Sequence, residues 1–232
     1  MTMAWVFPGQ GSQKIGMGEG ILALPGAQER FNLASDLLGR DLFKISQGLV
    51  SAIQSPNDLN DTRNTQPAMF VVQSLLIDEL RRQNQKPFLL AGHSLGEIVA
   101  LYAAEVFDVK TSLILLKQRS ELMSQAKEGG MTAVMGFDRE RLSSLVEASQ
   151  DVVVANDNSL SQVVLSGAPK ALEGLVEELN CKRSIPLPVS GAFHSPFMNE
   201  SAKLFESELD KVEFCKASIP VISNSEPTPT QD

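Results

Sequence analysis

With 232 residues, 43% of them hydrophobic and 21% charged, the chain suffices for one large globular domain with room for a smaller inserted lobe. A formal net charge of -8 argues against nucleic acid or an anionic membrane surface as the main partner, since both call for basic patches. Cys181 and Cys215 fit no CxxC or Cys/His spacing, so buried free thiols are expected, with no structural zinc or other metal site.

The first residues lack a basic stretch ahead of a signal-length apolar run, and no apolar run approaches a membrane span, so a cytoplasmic protein is expected. Ala4-Trp5-Val6-Phe7 reads as a short buried strand, and Pro8-Gly9-Gln10-Gly11-Ser12-Gln13 as the loop that ends it. Its glycines match neither GxxxxGK[ST] nor GxGxxG, which disfavours nucleotide binding. Such a loop brings backbone N–H groups to the carboxyl end of a strand, where open α/β sheets place their ligands.

Helical periodicity runs from Ala27 to about Leu42 and from Gln66 to Gln83, with Ala68, Val71, Val72, Leu75, Leu76 and Leu80 on one stripe of the second helix. Between them lies a polar connection, Ser55 to Asn64, and Pro67 suits a first helical turn. Then comes Phe88-Leu89-Leu90-Ala91-Gly92-His93-Ser94-Leu95-Gly96-Glu97, an apolar run that stops at a Gly-flanked serine and turns helical. Gly-x-Ser-x-Gly is the pattern of a nucleophile elbow, in which small residues let strand and helix approach closely and leave the hydroxyl exposed on a strained turn. Ser94 and Glu97 also fit the Ser-x-x-Glu capping box, and the two readings are compatible.

A further helix is expected from about Val109 to Ala126, with Leu115, Leu116, Leu122 and Met123 on its apolar arc and Arg119 inside that arc. A guanidinium there either snorkels to water or meets an anion. From Met131 to Leu187 the pattern is strand, helix, strand, strand, helix, strand, the order of the ferredoxin-like motif. A loop from Pro188 carries Gly191-Ala192-Phe193-His194-Ser195 into a helix from about Phe197 to Lys211. A last strand, Ser218–Ser223, precedes a Pro/Thr-rich tail expected to be unpacked. The fold class expected is α/β: an α/β-hydrolase-like large lobe with a parallel sheet, residues 1–128 and 189–232, plus an inserted ferredoxin-like α+β lobe, residues 129–188. A serine nucleophile needs a base, and of the two histidines His93 points away from its neighbour's side, which leaves His194.

Phe7-Pro8-Gly9-Gln10-Gly11-Ser12-Gln13, Gly92-His93-Ser94-Leu95-Gly96-Glu97, Gln118-Arg119 and Gly191-Ala192-Phe193-His194-Ser195 occur in the order seen in malonyl-CoA:acyl-carrier-protein transacylases, a family the chain resembles over nearly its whole length. The resemblance implies ping-pong acyl transfer by a Ser94–His194 dyad in fatty-acid or polyketide synthesis. The oxyanion would rest on the backbone N–H groups of Gln10 and Leu95. Arg119 would take the free malonyl carboxylate as a bidentate pair. Gln66 resembles a pocket residue near the acyl group, Met123 resembles an apolar pocket wall, and Phe193 resembles the residue that excludes an α-methyl branch, worth ~1–3 kcal/mol of discrimination.

Implied partners are malonyl-CoA and an acyl carrier protein, with a monomer the default state. No cofactor is implied beyond coenzyme A and phosphopantetheine as carriers of the substrate. The family continues past the last strand with helices, one residue of which orients the catalytic imidazole, whereas position 232 closes this sequence. Two alternatives stand beside this reading: a serine esterase or thioesterase, which shares the elbow, and a shortened, non-catalytic carrier-docking relative.

Overall fold

A computed structural model describes residues 3–50, 58–126 and 128–232. The first part of the expected polar connection, Ser55 to Asn57, lies outside the described residues. The chain folds as two compact units, Met1–Glu121 with Glu208–Asp232, and Leu122–Ser207. Beside the expected boundaries at 129 and 188, the second unit takes in 122–128 and 189–207 as well.

In the first unit, β1 (Ala4–Phe7), β2 (Leu89–Gly92) and β7 (Val221–Ile222) form a parallel sheet in the order β1-β2-β7. The register pairs Phe7 with Gly92 and Ala91 with Ile222, which sets the carboxyl ends of all three strands side by side. The expectation that β1 is wholly buried needs correction. It alternates: Trp5 and Phe7 face the core, while Val6 is 72% exposed because β1 is an edge strand.

The helices of this unit are α1 (Ala27–Leu38), α2 (Leu42–Ser46), α3 (Thr62–Arg82), α4 (Leu95–Ala103) and most of α5 (Val109–Gln125). The single helix expected from Ala27 to Leu42 is broken at Gly39, whose left-handed backbone caps α1. Helix α3 starts four residues earlier than expected, capped by the Asp61 carboxylate on Arg63 N–H. Pro67 therefore falls inside the helix rather than in its first turn. Lacking an N–H, it leaves the Arg63 carbonyl without its ladder donor, and Arg40 Nη2 donates to that carbonyl at 2.9 Å. Phe70 and Leu75 of α3 and Leu113, Leu115 and Leu116 of α5 are all fully buried, whereas Leu76, on the expected stripe of α3, is exposed.

Asp78 of α3 ties three helices together. It accepts from Arg30 of α1 at 2.7 Å, from Arg81 at 3.2 Å and from the Tyr102 hydroxyl of α4 at 2.7 Å. After β7 the tail is exposed throughout, as expected, yet it is tied down by hydrogen bonds: Val221 and Thr230 exchange both backbone bonds, and Gln231 bonds Ala217 in both directions. Pro227 and Pro229 lack N–H groups but leave the Thr230 amide available for this bridge. Cys215, expected buried, is exposed, and Cys181 is partly buried.

The second unit contains β3 (Gly130–Met135), α6 (Arg139–Ala148), β4 (Val152–Ser159), β5 (Gln162–Gly167), α7 (Pro169–Leu179) and β6 (Arg183–Pro186). Its antiparallel sheet has the order β4-β5-β3-β6, which is the ferredoxin-like arrangement expected. Strand alternation explains its two cores. Val134, Val163 and Leu165 face Leu142 of α6 and Leu172, Leu175 and Leu179 of α7. Met131, Ala133 and Val164 point the other way and cover Phe193. Helix α8 (Asn199–Leu209) follows a short 3-10 turn, Pro196–Met198, where one longer helix was expected. No helix among the described residues is long and apolar enough to cross a membrane.

Tyr102 is the single tyrosine of the chain, and burial, reinforced by the facing Asp78 carboxylate, pushes its phenol up to about 12. The folded state holds this proton more tightly than the unfolded chain does, whose phenol titrates at about 10. The stability it contributes is complete below about pH 10 and disappears as pH rises through about 12. An ultraviolet titration should give one phenolate transition at about 12 in the folded protein and at about 10 in denaturant. Tyr102→Phe should flatten the alkaline fall in stability, and a folded-state transition at the ordinary value would contradict this account.

Candidate active site

Gly92 ends β2 and Leu95 begins α4, so only His93 and Ser94 join strand to helix. The closeness of that turn explains both glycines. A Cβ on Gly92 would lie 1.9 Å from Gly96 O, and a Cβ on Gly96 would lie 2.3 Å from Phe7 O. Ser94 itself sits at φ 52, ψ -112, a left-handed region that costs a non-glycine residue roughly 1–3 kcal/mol. The elbow geometry expected from the sequence is present. The capping box is not: the Ser94 side chain caps nothing, and the Glu97 carboxylate instead takes the side-chain amide of Asn224.

The Ser94 hydroxyl oxygen accepts from Arg119 Nη2 at 3.1 Å. The other guanidinium nitrogen, Nη1, donates to Gln66 Oε1 at 2.7 Å. Gln66 is fully buried, and its Nε2 donates to Thr62 Oγ1 at 2.8 Å. Thr62 in turn donates its hydroxyl to Gln10 Oε1 at 2.8 Å. A continuous string of side chains thus runs from the Pro8–Gln13 loop to the serine: Gln10, Thr62, Gln66, Arg119, Ser94.

Burial pushes the Arg119 guanidinium down to about 10, opposed by the favourable field of the Glu97 carboxylate. It stays charged at neutral pH, and its charge-assisted bonds are strong because little water competes. The sequence left its place open between snorkelling and anion binding; the structure turns it inward, onto Ser94 and Gln66. Such a fork, next to a serine hydroxyl and at the amino end of α4, is suited to an acyl group that carries its own carboxylate.

Gln10, Gln66, Leu95 and Arg119 therefore belong with Ser94 in the first unit, Leu95 with its side chain fully buried. Met123, Phe193 and His194 belong to the second. There Phe193 is buried against Met131, Ala133 and Val164, with Met123 packed beside them. His194 follows it, exposed and at φ 56, on a turn closed by Ser195 Oγ to Ala192 O and by Met198 N–H to Ser195 O. Among the described residues, no group of three or more His, Cys, Asp or Glu could hold a metal ion.

Two participants escaped the sequence reading. The periodicity that begins at Gln66 leaves Thr62 in the preceding connection, and Asp61, an N-cap residue type, is the signal that places it in the helix. Asn224 lies just past β7, at the carboxyl end of a strand where α/β sites gather, and that position was the clue.

Residues 4–231 match the profile of the acyl transferase domain family. A malonyl CoA-acyl carrier protein transacylase of Synechocystis is 44% identical over all 232 residues, which cover 77% of its length. A polyketide-biosynthesis malonyl CoA-acyl carrier protein transacylase of Bacillus subtilis is 41% identical over 96% of this chain and 77% of its own. The crystal structure of the malonyl-CoA:ACP transacylase of Synechocystis sp. PCC 6803 superposes with TM-score 0.94 at 44% identity, covering 100% of this chain and 77% of that one. A type II polyketide-synthase acyl-carrier protein in complex with its malonyl-transacylase gives 0.90 at 34% identity, with 100% and 77% covered.

Gly96→Ala should cost about 3 kcal/mol or more in denaturant unfolding, because its methyl meets backbone that cannot give way. Gly174→Ala, in α7 with nothing near its added methyl, should instead gain about 0.5–1 kcal/mol. Equal effects at the two positions would contradict the close approach of strand and helix.

Proposed function

The chain belongs to the acyl transferase domain family as a malonyl-CoA:acyl-carrier-protein transacylase, and we propose that it carries the malonyl group as an ester on Ser94, with His194 as its base. His194 takes the hydroxyl proton as Ser94 Oγ attacks the thioester carbonyl carbon. The tetrahedral oxyanion rests on the backbone N–H groups of Leu95 and Gln10. The carbon–sulfur bond breaks, and coenzyme A leaves with the proton from the imidazole. The phosphopantetheine thiol of the carrier protein then gives its proton to His194 and attacks the acyl-serine, and collapse returns the proton to Ser94. Every proton is accounted for by these two side chains, and coenzyme A and phosphopantetheine serve as carriers of the substrate.

The observation that carries this reading is the bond from Arg119 Nη2 to Ser94 Oγ. In a malonyl ester the free carboxylate carbon is three bonds from that oxygen, within reach of a guanidinium that already touches it. Arg119 exchanges its bond to Ser94 for a bidentate pair with the carboxylate, while Gln66 holds its other nitrogen in place. The resemblance gives Phe193 and Met123, which pack together in the second unit, the part of an apolar wall that excludes an α-methyl branch. Two glycines at the elbow and a buried fork for a carboxylate are more than carrier docking requires.

Incubation with malonyl-CoA followed by intact-mass measurement should give one malonyl adduct, absent in Ser94→Ala and slow to form in His194→Ala. Release of malonate without an adduct would indicate a hydrolase, and no reaction a non-catalytic relative. Arg119→Ala should lower kcat/KM for malonyl-CoA by about 10²-fold, the worth of a charge-assisted pair, and should leave slow transfer from acetyl-CoA undiminished. Malonyl transfer that survives this change intact would remove Arg119 from its role.

A further inference from the structure

We propose that Asn224 is a positioning residue for the nucleophile and that Glu97 is its anchor, an inference that rests on Ser94 being the reactive group. Strand β7 lies beside β2 in register with Leu90 and Ala91, so the chain that leaves β7 passes alongside the elbow. Asn224 there grips the turn from both sides. Its Oδ1 accepts the Ser94 N–H at 3.1 Å, and its Nδ2 donates to the Gly92 carbonyl at 3.0 Å. The same Nδ2 also donates to Glu97 Oε2, which accepts the Asn224 backbone N–H at 3.3 Å as well.

The chemistry explains the amide. One face must accept from an N–H while the other donates to a carbonyl and a carboxylate, and only a carboxamide does both. An aspartate would set a second carboxylate against Glu97. Glu97 lies in the first turn of α4, where the helix end favours its charge, and so it offers a fixed acceptor. The Ser94 side chain makes no capping bond, and its Oγ accepts from Arg119. Holding the Ser94 N–H and the Gly92 carbonyl together keeps the residue at φ 52 through the reaction. It also occupies the Ser94 N–H, consistent with an oxyanion served by the next amide along the chain, that of Leu95.

Two readouts on the full chain test this. Reaction with a small fluorophosphonate, followed by intact mass, reads the nucleophilicity of Ser94 alone; malonyl transfer to a carrier protein reads the proposed function. Asn224→Ala and Asn224→Asp should slow both by about 30–100-fold, as expected for a misplaced nucleophile, with KM for malonyl-CoA changed by less than about twofold. Glu97→Gln alone should cost a few-fold. In the double variant Asn224→Asp with Glu97→Gln, the new amide donates to the new carboxylate and removes its repulsion by Glu97, while the Gly92 carbonyl still lacks its donor, so the rate should rise about three- to fivefold above that of Asn224→Asp and stay below that of the original protein. A merely structural contact would shift the melting temperature without this rescue.

Wild-type rates in both Asn224 variants, with Ser94→Ala inert, would overturn the inference and leave the transferase reading standing. The inference also fails if Asn224→Asp and the double variant are equally slow. Normal phosphonylation without malonyl transfer would overturn the transferase reading instead, while phosphonylation of the Asn224 variants would still decide the role of Asn224.

Discussion

The structure of the site depends on one buried guanidinium. Arg119 could not sit on the inner face of α5 without partners, because an unpaired charge there would be far too costly. It has two, Gln66 and Ser94, and each fixes the next atom outward. Because Arg119 can only donate, Gln66 must turn its oxygen to it, and its nitrogen is left for Thr62. Thr62 then has only its proton to offer Gln10. The direction of every bond in the string follows from the one group that cannot accept. A charge on one helix thus sets the orientation of a loop at the amino end of another.

The elbow complements this arrangement. The guanidinium defines where an acyl carboxylate belongs, and the turn defines where the attacking oxygen stands. Neither Gly92 nor Gly96 contributes a functional group, yet their missing side chains let β2, α4 and the end of β1 meet. The left-handed backbone at Ser94 is held from the β7 side by Asn224, and from the α5 side by Arg119. In the second unit, Phe193 has a similar supporting part. Its ring is buried on the sheet face opposite α6 and α7, and that burial fixes the backbone that carries the exposed His194.

Much of this was legible in the sequence because it rests on local rules. The Gly-x-Ser-x-Gly spacing gave the elbow, and the order of six elements gave the ferredoxin-like lobe. Arg119 was conspicuous as a charge on an apolar arc. What stayed hidden depends on residues distant in sequence. Thr62 acquires its role only when α3 begins early enough to bring its hydroxyl to Gln10, and Asn224 only when β7 pairs with β2. The bridge from the exposed tail to β7 was not legible because the composition of the tail reads as loose, although the Thr230 amide, just after two prolines, remains able to pair. The exposure of Val6 depends on β1 being at the edge of its sheet, which strand order decides and hydropathy does not.

Pro67 carries a consequence for how this chain can change over time. The proline opens a gap in the hydrogen-bond ladder of α3, and a side chain from another helix junction, Arg40, fills it like a borrowed peptide group. Positions 40 and 67 are therefore one unit of inheritance. A lineage that loses the proline restores the internal bond and takes one of three acceptors from Arg40, and one that loses the arginine removes this donor from a carbonyl one residue from Asn64 and three from Gln66. Because Asn64 also binds Arg40, drift at this pair is felt along the turn that supports the acyl pocket. The two positions are expected to vary together or not at all.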